Sequence, residues 1–271
     1  LLQALPTKAD LFSVFEELSP DYTLPERFTY PFDYEPHPLS LLAVEKLQFY
    51  LKHQQEWTHN FGLDEQDGPV SGKMFGVLVV RNAQNELGYL SAFSGKLAGS
   101  NHHQGFVPPI FDTLGEGGFL NLGMKELGRM NDEIRLLETQ HECKDTALFS
   151  LRQARRRHSV ALQHEIFEQY RFLNQAREEK SLTGIFADAS YKNPPAGAGE
   201  CAAPKLLQYA FLHNLKPLAM AEFWWGLSPK SDFWQHGHFY PACKEKCAPI
   251  LRHMLSGMLM DEKPGVFAHT N

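Results

Sequence analysis

The chain has 271 residues, 43% of them hydrophobic and 21% charged, with a formal net charge of −6 and four cysteines. This composition belongs to a globular chain with enough residues for a substantial core, and it excludes a disordered one. A net negative chain has no general affinity for a phosphate backbone, so any nucleic-acid contact has to come from a local patch or a partner domain. No stretch approaches the roughly 18 apolar residues of a membrane helix. Residues 1–12 lack a basic segment followed by an apolar run, so a cytoplasmic location without a membrane partner is expected.

Residues 1–38 are rich in proline and aromatic rings and read as an extended arm lying along the surface of an α/β body. Residues 41–61 bring Leu41, Val44, Leu47, Leu51 and Trp57 near one face and predict a helix, stopped by Asn60 and Gly62. A β-hairpin follows, with strands at 73–82 and 86–95; the first is apolar almost throughout and should be central. Residues 96–124 are glycine-rich and predict a long loop carrying His102, His103 and Asp112, most simply surface residues.

Residues 125–180 are nearly free of glycine and proline and rich in helix formers. Their length predicts two helices forming an antiparallel pair, broken near 143–149 and inserted into the body. Arg152, Arg155, Arg156 and Arg157 make the best local basic patch, a candidate RNA contact set against the plainer reading of a solvated helix face. The body resumes over 181–260. It has a short strand or turn at 183–190, a Pro/Gly loop at 192–201, a helix at 203–215, a strand at 216–226 and a helix at 243–259. Residues 261–271 read as a tail or linker. The fold class expected is α/β, a mixed sheet flanked by helices.

The chemistry is concentrated in this last third. Cys243 and Cys247 stand four apart at a predicted helix start and share a side. Cys201 begins the preceding helix. Helix N-termini stabilise thiolates. If parallel strands carry the two helices, three thiolates meet at one sheet edge, with His238, or His236 beside it, as a fourth ligand. Zinc takes such a set tetrahedrally. Inert core thiols fit the same spacing, and Cys143 stands apart. Gly197 and Gly199, running into a helix start with Lys205 nearby, are a weaker anion-binding candidate beside the reading of a plain turn. The aromatic run Phe223, Trp224, Trp225, followed by Phe233, Trp234, Phe239 and Tyr240, suits a core or an interface better than base stacking.

The order hairpin, helix from Cys201, strand, helix from Cys243 resembles the zinc-dependent cytidine deaminase fold. That family has a Pro-Cys-x-x-Cys motif at the second helix and a proton-carrying Glu two residues after the first ligand. Here Ala203 stands in the Glu position, and the cysteines of Pro241-Ala242-Cys243 and Cys247 are spaced one residue wider.

Longer blocks resemble a different family. GKMFGVLVV, LGYLSAFSGKLAGSN, FVPPIFD, TGIFADASYKNPPAGAGECAAPKLLQYAFLHNLKPLAMAEFWWG and HGHFYPACKEKCAPILRHML are similar to the amino-terminal extension of some long bacterial pseudouridine synthases of the ribosomal large-subunit (RluA) type. The likeness covers about residues 25–257. It implies an accessory or substrate-positioning module attached to a catalytic domain, with RNA as the partner of the whole. That family's catalytic Asp lies in a His-Arg-Leu-Asp segment followed by Thr-Ser-Gly, and this sequence has no such segment.

Overall fold

The computed structural model describes residues 11–16, 18, 22–113, 115, 118–139, 145–189 and 192–262. Cys143 and most of the expected tail lie outside them, as does residue 144 of the helix break expected at 143–149; residues 145–149 are helical, so the break does not extend over them. Among the described residues the elements are β1 (Ser13–Val14), α1 (Pro38–His53), β2 (Lys73–Arg81), β3 (Leu87–Phe93), α2 (Phe119–Thr139), α3 (Asp145–Gln169), β4 (Arg171–Leu173), β5 (Glu179–Ser181), α4 (Leu182–Ala187), α5 (Ala202–Leu212), β6 (Lys216–Trp225) and α6 (Cys247–Met254).

The main sheet runs β1-β3-β2-β6, and every pairing in it is antiparallel. The expectation of a mixed sheet with parallel strands under the two helices is therefore corrected. β6 lies beside β2 in the opposite sense. β2 is central, as its apolar run predicts: Phe75, Val77 and Val79 face one side, Leu78 and Val80 the other, all fully buried. The first side packs on α1 and the second on α5, with α4, α6 and the β4–β5 hairpin outside it.

Local chemistry explains the boundaries. Pro38 opens α1 where a missing N–H costs nothing, and the His37 imidazole Nδ1 accepts the Leu39 N–H. The helix ends at His53, earlier than its apolar spacing suggests, and Gln54 then ties its side chain to the backbone of Glu56 and Trp57. Residues 182–187 are helical rather than a strand or turn, because the Ser181 hydroxyl caps the Gly184 N–H. α2 begins at Phe119, inside the segment expected to be loop. α2 and α3 run side by side in opposite senses. Glu138 meets Arg152, Asn131 meets Arg155, and Gly123 packs against Leu162. The stretch expected to stay helical to residue 180 becomes the β4–β5 hairpin from Arg171 onward.

The outer edge of β6 is covered by polypeptide, not left open. Thr29 and Tyr34 of the arm accept the Met220 and Glu222 N–H groups through their hydroxyls. The Trp224 N–H donates to His238 O, and Tyr240 N–H to Glu222 O. An edge strand satisfied in this way cannot template pairing with another chain. Pro217 is tolerated in it because it lies at that edge.

Candidate metal centre

β2 carries Gly76 where neighbouring positions are large. A Cβ there would lie 3.0 Å from the Ala202 Cβ and 3.4 Å from the Glu222 Cγ. Gly76, Ala92, Ala202 and Ala203 thus form a patch of small residues that lets the first turn of α5 sit down on the sheet. Cys201 is the N-cap residue of that helix. On the far side of β6 the chain runs through a turn-rich loop. That loop is pinned by Tyr240, whose hydroxyl donates to Phe233 O and accepts the Gln235 N–H. It re-enters at Ala242, whose N–H donates to Pro31 O. Cys243 follows in a turn, and Cys247 is the first residue of α6, which is shorter than the predicted 243–259 helix. Pro249 lies in the first turn of α6, where its missing N–H is harmless.

The sulfurs of Cys201, Cys243 and Cys247 lie within 4.8 Å of one another, a group able to hold a metal ion. Cys243 and Cys247 are 3.4 Å apart. Four sulfur-length bonds of about 2.3 Å arranged tetrahedrally would place ligand atoms about 3.8 Å from each other, so the donor set has the right size. Cys247 is buried, Cys201 half-buried and Cys243 exposed, which gives the group one side toward solvent. The Cys201 and Cys247 thiols stabilise a thiolate on Cys243 and hold its pKa far below the usual thiol range. Backbone N–H groups of Lys246 and Cys247 add to this. Cys201 and Cys247 are pushed up in turn, first by sharing hydrogen bonds within the cluster and then by burial.

His238 is not part of this group. Its backbone pairs with Trp224 and Gln235, which holds it on the outer edge of β6, and the expectation of it as a fourth ligand is corrected. His236 also turns elsewhere, accepting the Gly226 N–H.

Glu222 was not among the residues singled out in the sequence. It is 4% exposed, and its carboxylate accepts the Ala203 N–H at 3.2 Å. Burial, opposed by that bond and reinforced by the Cys243 thiolate, pushes its pKa up to about 7. A lone acidic residue inside the apolar run Leu218–Trp225 of a predicted strand was the available signal.

Gly197 and Gly199 adopt positive φ, as a tight turn demands, but the turn closes on itself. The Ala198 and Glu200 N–H groups donate to Pro195 O and Gly197 O. Lys205 points inward and is 2% exposed. Its ammonium donates to Phe93 O and Gly95 O and lies 3.6 Å from the Glu200 carboxylate. The three residues do not form the anion site expected of them, because the cation is already satisfied inside the protein. Burial lowers the Lys205 pKa, with Glu200 opposing. Glu200 also accepts a hydrogen bond from the Tyr170 hydroxyl.

The arginines of α3 divide. Arg152 pairs with Glu138 at 2.6 Å, and Arg155 donates to Asn131. Arg156 and Arg157 are exposed, so the basic patch is half as large as its spacing suggests. His102 pairs with Asp112 at 3.3 Å, and His103 donates to Leu97 O, so both serve the loop itself.

No helix among the described residues is long and apolar enough to cross a membrane. Comparison of the chain with protein-family models, with curated proteins and with solved structures finds no match.

Proposed function

We propose that this chain is an accessory module of an RNA pseudouridine synthase, organised around a zinc ion on Cys201, Cys243 and Cys247. The observation that carries the metal is the convergence of three sulfurs from two separate helix starts within 4.8 Å. Soft thiolate donors at this spacing suit zinc. The RNA link rests on the long blocks similar to the extension of the large-subunit synthases. The chain has no His-Arg-Leu-Asp segment to break a glycosidic bond, so its part is to position substrate or support a covalently linked catalytic domain. RNA then reaches it through that partner, with Arg156 and Arg157 as its own remaining basic contacts.

Elemental mass spectrometry of the purified chain tests the metal. One zinc per chain, absent from Cys243→Ser, is the expected result; no metal in either protein removes the zinc from the reading. Pseudouridine assays test the role. The chain alone forms no pseudouridine, and fused ahead of a large-subunit-type catalytic domain it raises turnover or changes RNA preference. Turnover by the chain alone would end the accessory reading.

One observation favours a second reading, a zinc-dependent hydrolase of the deaminase kind. Three protein ligands leave a fourth tetrahedral position, the count found where zinc does chemistry. Glu222 lies beside the cluster at the Ala203 N–H, next to the position where the deaminase family has its proton-carrying Glu. The order β2–β3 hairpin, α5, β6, α6 is consistent with that fold. Zinc, when bound, would act as a Lewis acid, and Glu222 would accept and return protons. Ammonia release from cytidine or cytidine-containing RNA, lost in Glu222→Gln, is the outcome this reading needs; no release from the zinc-loaded chain sinks it.

A further inference from the structure

The three sulfurs of the cysteine group differ in access. Cys247 is 1% exposed, Cys201 is half-buried and Cys243 faces solvent. A dissolved reagent therefore meets Cys243 first. The Cys247 sulfur lies 3.4 Å from that of Cys243. A covalent S–S bond is about 2.05 Å long, so the pair closes with an approach of about 1.4 Å.

The main chain permits that approach. The Cys247 N–H donates to Cys243 O at 3.2 Å, which closes one helical turn between the two residues. Four residues of helix rise about 6 Å, and disulfides span Cα separations of about 4.4–6.8 Å. Cys247 is held by α6, whose Ile250, Leu251 and Met254 are fully buried. Cys243, Lys244 and Glu245 are exposed residues ahead of α6, so Cys243 is the partner able to move. Cys201 caps α5, which is seated on the sheet through the contact of Gly76 with Ala202, and no local turn links it to Cys243.

We infer that Cys243 and Cys247 form a thiol switch closed by hydroperoxides, with Cys243 as the attacking sulfur and Cys247 as the resolving one. The Cys243 thiolate attacks the peroxide: an S–O bond forms, the O–O bond breaks and hydroxide leaves. The Cys247 sulfur then attacks the Cys243 sulfur: the S–S bond forms, the S–O bond breaks and the oxygen leaves as water. Two thiols and one hydrogen peroxide give one disulfide and two waters, and the peroxide gains the two electrons that the sulfurs lose. The consequence for the metal rests on the reading of this group as a zinc site. The disulfide withdraws two of the three donors, and Cys201 alone is too few to hold the ion.

Peptide mapping of the full chain after exposure to hydrogen peroxide and blocking of free thiols tests the pair, with released zinc read in parallel by a chelating dye. A single Cys243–Cys247 disulfide, reopened by dithiothreitol, is expected, and zinc leaves in proportion to the disulfide formed. Cys247→Ser stops at a Cys243 sulfenic acid that dimedone traps. Cys201→Ser still forms the bond, and it carries the test of the pairing if Cys247→Ser does not fold. Sulfinic acid on Cys243 in place of a disulfide overturns the inference, as does a bond from Cys243 to Cys201 or Cys143, or a pair that stays reduced while methionines oxidise. Zinc retained by a chain that carries the disulfide overturns it as well. An untreated chain without zinc ends the metal reading, and there the mapped bond alone decides the switch. A zinc-loaded chain that forms no disulfide ends the switch and leaves the metal reading standing.

Discussion

Glu222 is a carboxylate that the fold pushes toward its protonated form. Unfolded, it titrates near 4.5; folded, it is raised to about 7, with burial as the main cause. The protonated form is therefore the one the metal-free fold prefers. Its contribution is fully present below about pH 4.5 and is lost as pH rises through 7. The loss amounts to about 3 kcal/mol on conversion of the shift at 1.36 kcal/mol per pH unit. Glu222→Gln keeps an acceptor for the Ala203 N–H and cannot ionise. Chelator-treated Glu222→Gln should match the parent near pH 5 and exceed it at pH 8 by up to about 3 kcal/mol, read from urea midpoints. An equal midpoint at both pH values would mean the carboxylate is solvated in the native state. The cysteines were legible as candidates because thiols at helix starts are few. Glu222 was less so, since an acidic residue in a strand reads equally as solvent-facing until the partner layer is known.

At the scale of elements, the turn before α5 decides where Cys201 sits. Gly199 has φ +91°, and a Cβ there would lie 2.8 Å from Tyr170 Cδ1 and 3.1 Å from Phe172 Cζ. Gly199→Ala combines an unfavourable backbone with an overlap against two rings packed in the core. A loss of about 1–3 kcal/mol is expected from urea denaturation, with weaker zinc retention against a chelating dye. Wild-type stability in this variant would show that the turn relaxes without moving the cysteine. The sequence marked the segment as a Pro/Gly turn, and that held. Its use as an anion cradle did not, because where the Lys205 ammonium points depends on β3. The carbonyls of Phe93 and Gly95, more than a hundred residues earlier in the chain, take up its hydrogen bonds.

For the molecule as a whole, the sheet separates two apolar layers. α1 lies on one side, and α5, α6 and the cysteines on the other. A metal on the cysteines would tie α5 to the turn before α6 and to the loop that covers the edge of β6. Chelation should therefore raise amide exchange in residues 230–255 while β2 and the facing part of β6 stay protected, as measured by hydrogen–deuterium exchange mass spectrometry. Uniform loss of protection would mean that the metal holds the whole fold. No change anywhere would mean that the cysteines are inert core thiols. Even without metal, α6 retains apolar anchors, since Ile250, Leu251 and Met254 are fully buried.

The sequence by itself determined the local elements whose patterns are self-contained. The unbroken apolar run of residues 74–80 can only be a central strand. Pro38 with the apolar spacing after it starts a helix, and the 125–169 region, with Gly128 as its one glycine and no proline, is helical over its described residues. Strand direction, the reach of His238 and the inward turn of Lys205 were decided by tertiary structure alone. β6 runs antiparallel to β2, and periodicity along one strand carries no information about the sense of its neighbour. The three sulfurs meet because Gly76 and its small neighbours let a helix start approach the sheet. That contact joins residues far apart in the chain, so spacing alone could propose it and only packing could bring it about.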